Sequence, residues 1–204
     1  MLVQFAITAL VGLVLYTLWS FSTPTLNAEF GCHCGQVQGK VAASSILHVV
    51  CYCDDCQAMD TRVRVKYPKL ATGLNECGGM RAVMVFPSEV TIASGANKLT
   101  VVKLKDRTTT RRVYASCCGS HLINAVTPEI PLMAIPASAF LDKHVDLGTP
   151  QVHFFTKYAT GDVPRGYSAM PFALQLKIAS RILLNGSKTR PRPIDVKQPA
   201  NVLS

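Results

Sequence analysis

The chain has 204 residues, of which 49% are hydrophobic and 16% charged, and its formal net charge at neutral pH is +9. This composition excludes a wholly disordered chain, and eight cysteines in this length are too sparse for a small disulfide-stapled toxin or growth factor. The length accommodates one domain of ordinary size with additional segments at its ends.

The amino-terminal segment is unusually apolar, since residues 1–28 carry no charged side chain. About 20 apolar residues at a rise of 1.5 Å cross a hydrocarbon core of roughly 30 Å. We therefore predict a single-pass transmembrane anchor over 1–22. The alternatives are a cleaved signal peptide, which would need a basic start and a shorter apolar core, and a buried core helix.

A linker is predicted over 23–29, and a mainly β domain over 30–165. β-Type residues between turn residues indicate strands at 36–42, 46–53, 81–86, 89–93, 99–104, 111–114 and 152–155. The Gly/Asn turn after Ser94 is typical of a β-hairpin that joins 90–92 to 99–101. Residues 57–80, which contain Pro68, Gly73, Gly78 and Gly79, indicate a long loop with at most one helical turn.

The carboxyl-terminal segment 166–204 is predicted to be a basic tail with one helix at 171–185. Pro171 begins the helical pattern and Gly186 ends it. One apolar stripe runs along this helix, formed by Phe172, Leu176, Ala179 and Leu183. The helix is expected either to dock this stripe on the β domain or to lie on an anionic membrane surface beside the anchor.

Seven of the eight cysteines lie in closely spaced groups, Cys32-x-Cys34, Cys51-x-Cys53-x-x-Cys56 and Cys117-Cys118. Two thiols at CxC spacing do not easily form a disulfide with each other, but they suit two ligands of one metal ion. Soft thiolates favour zinc, which takes four ligands in a tetrahedron. The alternatives are buried free cysteines, or disulfides in an exported protein.

The two groups of cysteines differ in the number of ligands that they offer. Cys51, Cys53 and Cys56 supply three thiolates, which leave a fourth position for water or substrate, as in reactive zinc sites. Cys32 and Cys34 need two partners from a distant segment, and Cys117-Cys118 is the other paired source of thiols in the sequence. Because these sites require reduced thiols, the domain is expected on the cytoplasmic side of the membrane.

Four short sequence blocks follow one another along the chain: Gly31-Cys32-His33-Cys34-Gly35, then Cys51-x-Cys53-x-x-Cys56, then the hairpin pattern over 90–100, then Cys118-Gly119-Ser120. This pattern resembles the family of glutathione-dependent formaldehyde-activating enzyme and centromere protein V, and within it an uncharacterised bacterial branch. The resemblance covers residues 30–125. It implies a zinc-pinned, mostly antiparallel Mss4-like β fold, with a structural zinc on the first CxC and a later CxxC, and a more labile zinc on CxCxxC. Two zinc ions per chain are therefore expected.

The sequence departs from this family at one ligand position. The later pair of the family is CxxC, and this chain has Ala115 where the first of those cysteines would stand. The fourth ligand beside Cys32, Cys34 and Cys118 is therefore Cys117, His121 or His33, of which we favour Cys117. Cys77 matches no ligand of the family and is expected to be a free thiol.

The resemblance implies a carbon–sulfur lyase that forms or cleaves thiol adducts of the S-hydroxymethylglutathione type. Its partner would be a small thiol such as glutathione, held as thiolate on the zinc of Cys51, Cys53 and Cys56, which are the candidate catalytic residues. The alternative is a non-enzymatic, membrane-tethered zinc module that binds a protein, a lipid or a nucleic acid.

The charged and titratable residues near the cysteines have two possible roles, a chemical one and a plain structural one. Asp54 and Asp55 either accept a thiol proton or are solvated loop carboxylates, and we favour the second interpretation. His48 and His121 are expected to be structural. The basic run from Lys98 to Arg112 is interpreted as a solvated strand face rather than a nucleic-acid surface, because few aromatic residues interrupt it.

Overall fold

The computed structural model describes residues 4–5, 7–8, 10–12, 24–127 and 129–203. Most of the predicted anchor over 1–22 lies outside these residues, and its described positions are helical. Within the described ranges, no helix combines the length and the apolar character that a bilayer crossing requires.

The described residues form two β-sheets and two long helices. Strands β1 (Leu26–Gly31), β2 (Gln38–Ala43) and β5 (Val90–Ser94) form an antiparallel sheet in the order β1-β2-β5. The second sheet contains β3 (Leu47–Cys51), β4 (Met80–Val85), β6 (Leu99–Lys103), β7 (Arg111–Ala115), β8 (His121–Ala125), β9 (Met133–Pro136), β10 (Val152–Phe154) and β11 (Asn201–Val202). Its order is β10-β3-β4-β9-β8-β7-β6-β11. The helices are α1 (Asp54–Lys66) and α2 (Phe172–Leu184).

The prediction of a mainly β fold is confirmed. The large sheet is mixed, because β10 pairs in parallel with β3 and β11 in parallel with β6, whereas its other pairs are antiparallel. One core cluster contains buried residues of both sheets, among them Phe30 and Val41 from the small sheet and Val113, Ile123 and Ile135 from the large one. The two sheets therefore share a core.

The prediction of a loop over 57–80 was wrong for its first part, where the chain forms α1. Cys53 caps this helix, and its thiol accepts a hydrogen bond from the Cys56 amide. Cys56, Met59 and Val63 are buried on one side of the helix, with the spacing of one helical face. The glycines and the proline that indicated a loop all lie beyond Lys66, where the chain does leave the helix.

The predicted hairpin between 90–92 and 99–101 was also wrong. β5 pairs with β2, in register Val41↔Val90, whereas β6 pairs with β7, in register Leu99↔Ala115. Gly95 has a φ of +72°, and a Cβ there would lie 2.1 Å from the carbonyl oxygen of Gln36. The turn that indicated a hairpin instead carries the chain from one sheet to the other.

The ends of the domain differ from the predicted segments. Leu26–Gly31 forms β1, so the strand begins inside the expected linker over 23–29, and the Leu26 side chain is buried. The tail contributes β11 to the large sheet, and its Ile194 and Val196 side chains join the core. α2 confirms the helix predicted at 171–185.

Candidate metal centre

The first cysteine group begins in the turn between β1 and β2. The Cys32 amide donates to the Val37 carbonyl over 3.0 Å, and the Gly35 amide donates to the Cys32 carbonyl over 3.0 Å. Gly35 adopts the left-handed conformation, with φ at +77°, that this turn requires. The turn brings the sulfurs of Cys32 and Cys34 to 3.5 Å from each other.

The second half of this group lies in the turn between β7 and β8. The Gly119 amide donates to the Ala115 carbonyl over 2.8 Å. Gly119 has a φ of +81° and packs against the ring of Tyr67, where a Cβ would lie 2.4 Å from a ring carbon. The Tyr67 hydroxyl in turn donates to the Ser116 carbonyl over 2.8 Å. The segment after α1 therefore supports the turn that carries Cys117 and Cys118.

Four sulfurs meet where these two turns adjoin. The Cys117 sulfur lies 3.7 Å from that of Cys32 and 3.3 Å from that of Cys34. All four sulfurs, including that of Cys118, lie within 4.8 Å of one another. Zinc–sulfur bonds of about 2.3 Å in a tetrahedron place the sulfurs about 3.8 Å apart, so this group could hold a metal ion.

The structure groups the sulfur of Cys117, and no ring nitrogen of His33 or His121, with the sulfurs of Cys32, Cys34 and Cys118. The His121 ring instead makes a hydrogen bond of 2.8 Å between Nε2 and Oδ1 of Asn124. Among the described residues, neither His33 nor His121 belongs to a group with metal-ligand spacing. This placement agrees with our preference for Cys117.

Polar groups surround the sulfurs of this cluster. Burial raises the pKa of Cys32, and the Val37 amide donates to its sulfur over 3.2 Å. Burial also raises the pKa of Cys117. For Cys118 burial acts in the same direction, but hydrogen bonds with Ser120 outweigh it and lower the pKa to about 6. Ser120 Oγ also accepts the His33 amide over 2.9 Å, so this serine connects the two turns.

The second cysteine group lies where β3 passes into α1. Cys51 ends the strand, Cys53 is the N-cap of the helix and Cys56 lies in its first turn. The three sulfurs lie within 4.8 Å of one another, and those of Cys53 and Cys56 are 3.3 Å apart. These three sulfurs could also hold a metal ion, and the structure adds no fourth His, Cys, Asp or Glu ligand among the described residues.

The helix start and the neighbouring thiols favour a negative charge on Cys53. Hydrogen bonds from the thiols of Cys51 and Cys56 lower the pKa of Cys53 to about 3, and the charge of Arg112 acts in the same direction. The hydrogen bond with Cys53 raises the pKa of Cys51 to about 12, and the pKa of Cys56 is raised by the same kind of contact. The helix dipole favours an anion at this end of α1 as well.

The carboxylates between the ligands are paired with basic side chains. Lys105 Nζ lies 3.3 Å from Asp54 and 2.9 Å from Asp55, and Arg112 lies 3.8 Å from Asp55. Interpreting the whole basic run as a solvated strand face was wrong for Arg112, which is 3% exposed. Alternation along β7 places the neighbours Arg111 and Arg112 on opposite faces of the sheet, so the sequence could have indicated different burial for the two, but the proximity of Arg112 to α1 depends on tertiary packing.

A cavity of about 580 Å³ connects the neighbourhoods of the two cysteine groups. Cys32 of the first group and Cys56 of the second group both line it, together with His33, His121 and Lys143. Asp60 of α1 holds its rim by accepting hydrogen bonds from the Thr72 hydroxyl and the Gly73 amide, at 2.9 and 2.8 Å. No sequence pattern indicates this cavity, because its walls come from segments far apart in the chain.

The remaining candidate residues lie outside both groups. Cys77 is a free thiol whose sulfur lies 3.5 Å from the carbonyl oxygen of Asp162. His48 is fully buried in β3, with Nδ1 2.8 Å from the Gly148 carbonyl oxygen. Neither side chain lines the cavity between the cysteine groups.

Comparison with known proteins places the chain in a family. A search of the curated proteins found no match. A crystal structure of a Rhodobacter sphaeroides protein, a structural genomics target, is similar with a TM-score of 0.41 and 17% sequence identity, over 60% of this chain and 92% of that chain. The model of a family of unknown function, DUF6151, matches residues 26–201. That match covers both cysteine groups and both helices, and the chain therefore belongs to the DUF6151 family.

Proposed function

We propose that this chain is a zinc protein with two sites, and that its three-cysteine site binds a small thiol for carbon–sulfur bond chemistry. The observation that carries the proposal is the position of Cys56. This ligand candidate belongs to a group of three sulfurs and also lines the cavity of about 580 Å³. A metal held by three sulfurs beside such a cavity would have one position left for a ligand.

The donor atoms support zinc as the metal. Both groups consist of sulfur alone, and thiolates select soft or borderline ions such as zinc over magnesium or calcium. The four-sulfur group would be saturated by its own ligands, which is typical of a structural site. Its role would be to fasten the β1–β2 turn to the β7–β8 turn.

The surroundings of the three-sulfur group support binding of an anionic sulfur ligand. Zinc, when bound there, would hold an incoming thiol as its thiolate. Three cysteine thiolates already exceed the charge of a divalent ion, so a fourth thiolate needs further positive charge nearby. The amino terminus of α1 and the buried Arg112 guanidinium provide it. Asp54 and Asp55, being paired with Lys105 and Arg112, are assigned to the electrostatics of the site and not to proton transfer.

The cavity supports a small organic substrate. Its volume lies in the range of about 300–1,000 Å³ that is typical of ligand pockets. Leu74 and Met80 contribute apolar walls, and Lys143 and His33 contribute polar ones. A thiol that carries polar groups, as glutathione does, matches such a mixed lining.

The resemblance of the four sequence blocks to formaldehyde-activating enzymes supports the class of reaction. Addition of a thiol to an aldehyde forms one carbon–sulfur bond and transfers the thiol proton to the carbonyl oxygen, and the reverse reaction restores both reactants. No oxidant or reductant is needed. The proposed activity is therefore a carbon–sulfur lyase acting on thiol–aldehyde adducts.

The first experiment measures metal per chain in the purified full-length protein by mass spectrometry, together with the rate of adduct formation from glutathione and formaldehyde by NMR. We expect two zinc ions and a rate above that of the uncatalysed reaction. Cys53→Ser should lose one zinc ion and the activity, whereas the control Cys77→Ser should keep both. Two zinc ions without any acceleration would refute the lyase and favour a non-enzymatic zinc module, and a chain without metal would refute both sites.

A further inference from the structure

Helix α2 presents two apolar faces, and only one of them is docked on the domain. Leu174 is buried, and Ile178 and Ile182 pack against the cluster that contains Val152 and Phe154. Arg181 is buried on this side as well, with Nη2 donating to the Ser45 carbonyl over 2.7 Å. These contacts account for the attachment of the helix to the β-sheet.

The opposite face of α2 carries the apolar stripe seen in the sequence. Phe172 is 77%, Leu176 45% and Leu183 82% exposed, and the adjoining Leu184 is 73% exposed. Ala179 is exposed between them. A contiguous exposed stripe of large apolar side chains marks an interaction surface, unlike single exposed residues scattered over a protein.

The charges on and after α2 favour an anionic partner. The helix contains no acidic residue. The segment that follows it is rich in basic residues and contains one acidic residue, Asp195; the basic residues are Lys188, Arg190, Arg192 and Lys197. Lys188 is held by Glu89, 3.2 Å away, whereas Arg190, two residues further along the chain, is exposed. An apolar helix face beside basic residues is typical of helices that lie in the interface of an anionic membrane.

The described part of the domain begins close to α2. Pro24, where the described part of the domain begins, accepts a hydrogen bond from the Ile46 amide over 3.0 Å. The preceding residue, Ser45, is the one whose carbonyl accepts Arg181 of α2. Pro24 therefore lies close to the docked face of α2, and the segment 1–23 that precedes it in the sequence carries no charged side chain. Phe5 and Leu10 within that segment are also exposed, at 81% and 66%.

We propose that the exposed face of α2, formed by Phe172, Leu176, Leu183 and Leu184, lies in the interface of an anionic lipid bilayer. The apolar side chains would enter the boundary between headgroups and acyl chains, and the exposed Arg190, which follows the helix, would contact anionic headgroups. This surface lies on the opposite side of α2 from the contacts with the domain, so the bilayer would not compete with the fold.

The test uses the full-length chain and its one tryptophan, Trp19. In a Trp19→Phe background, a reporter tryptophan is introduced by Leu183→Trp, and in a matched control by Val65→Trp on α1, where Val65 is 77% exposed. Both proteins are mixed with vesicles of phosphatidylcholine and phosphatidylglycerol, with and without brominated acyl chains. We expect the emission of the Leu183→Trp protein to shift to shorter wavelength and to be quenched by bromine, and that of the Val65→Trp protein to change in neither respect.

Four results would overturn the proposal. Absence of quenching at position 183 would show that α2 stays in water. Equal quenching at positions 65 and 183 would show that the protein has no specific orientation on the bilayer. Equal quenching at position 183 in vesicles with and without phosphatidylglycerol would show that the protein has no preference for anionic lipid. A blue-shifted emission at position 183 before any lipid is added, accompanied by a dimeric mass in light scattering, would assign the face to a second copy of the chain.

Discussion

The sulfur of Cys34 lies 3.3 Å from the sulfur of Cys117, although 83 residues separate them in the chain. Cys34 belongs to the turn that joins two strands of the small sheet, and Cys117 to the turn that joins β7 and β8 of the large sheet. A metal ion at this point would join the two sheets. Its loss should therefore affect the whole domain.

Cys117→Ser should remove one metal ion per chain and destabilise the fold. A structural zinc contributes on the order of 10–16 kcal/mol at neutral pH, which is comparable with the total stability of about 5–15 kcal/mol of a typical domain. The free energy of unfolding should fall by several kcal/mol, measured by chemical denaturation alongside metal analysis. Cys77→Ser is the control. If His121→Gln lost the metal and Cys117→Ser retained it, the fourth ligand would be the histidine.

Cys53→Ser should separate metal binding from stability at the second site. The serine hydroxyl can accept the hydrogen bond that Cys53 accepts from the Cys56 amide, and serine is a preferred N-cap residue. We therefore expect the replacement of the helix cap to change the free energy of unfolding by less than about 1 kcal/mol, while the zinc content falls from two ions to one. Cys53→Ala removes both the ligand and the cap.

A global loss of structure in Cys53→Ser, seen by circular dichroism, would contradict the assignment of this site as the labile one. Retention of both metal ions would instead show that two sulfurs and another group suffice to bind the second ion.

Arg112→Met should cost considerably more stability than Lys105→Met, although both basic residues face Asp55. The Arg112 side chain is 4% exposed, whereas the Lys105 side chain is 58% exposed. Breaking a buried ion pair typically costs about 3–5 kcal/mol, because the remaining charge stays buried. The Arg112–Asp55 distance of 3.8 Å and the partial exposure of Asp55 favour the lower end of that range. An exposed pair contributes about 0.2–1 kcal/mol.

Urea denaturation of both variants, loaded with zinc, measures this difference. Arg112→Met should also weaken zinc binding at the three-cysteine site, because Arg112 favours the ionised Cys53 thiol. Equal effects of the two substitutions on stability and zinc affinity would show that the burial of Arg112 has no energetic consequence at this site.

Because the pKa of His121 is lowered in the folded chain, the domain should become less stable as the pH falls from about 6.5 to about 4. Burial, followed by the charge of Arg112, lowers the pKa of His121 from 6.5 to about 4. In that interval the unfolded chain takes up a proton that the folded chain does not, so the free energy of unfolding decreases, by roughly 3 kcal/mol in total. Below about pH 4 this residue adds no further loss.

His121→Gln should flatten that part of the pH profile, because glutamine does not titrate and can still donate to Asn124. His144→Gln, at an exposed position, is the matched control substitution. Since acid also releases metal from thiolates in both variants, the difference between their slopes is the measured quantity. Identical slopes would contradict the burial of a neutral imidazole at position 121.

Local spacing was enough to predict the three-cysteine group and helix α2. Cys51, Cys53 and Cys56 lie within one strand-to-helix connection, so short-range geometry brings their sulfurs together in almost any fold that forms this turn. Pro171 and Gly186 marked the ends of α2 through their own backbone preferences. The β-type runs were recognised for the same reason, since side-chain alternation is a local property.

Contacts between distant segments decided the rest. The placement of Cys117, rather than His33 or His121, with the other three cysteines, the burial of Arg112 and the walls of the cavity all depend on which segments become neighbours, and no residue spacing records that choice. The residues of the turn at Gly95 suit a hairpin, yet β5 pairs with β2 in the small sheet and β6 pairs with β7 in the large one. The same holds for α2: the sequence contains two apolar faces, and only the packing against β3 and β10 determined that Leu174 lies inside and Leu183 outside. Hydrophobicity and spacing are properties of a segment, whereas burial is a relation between segments that exists only in the folded chain.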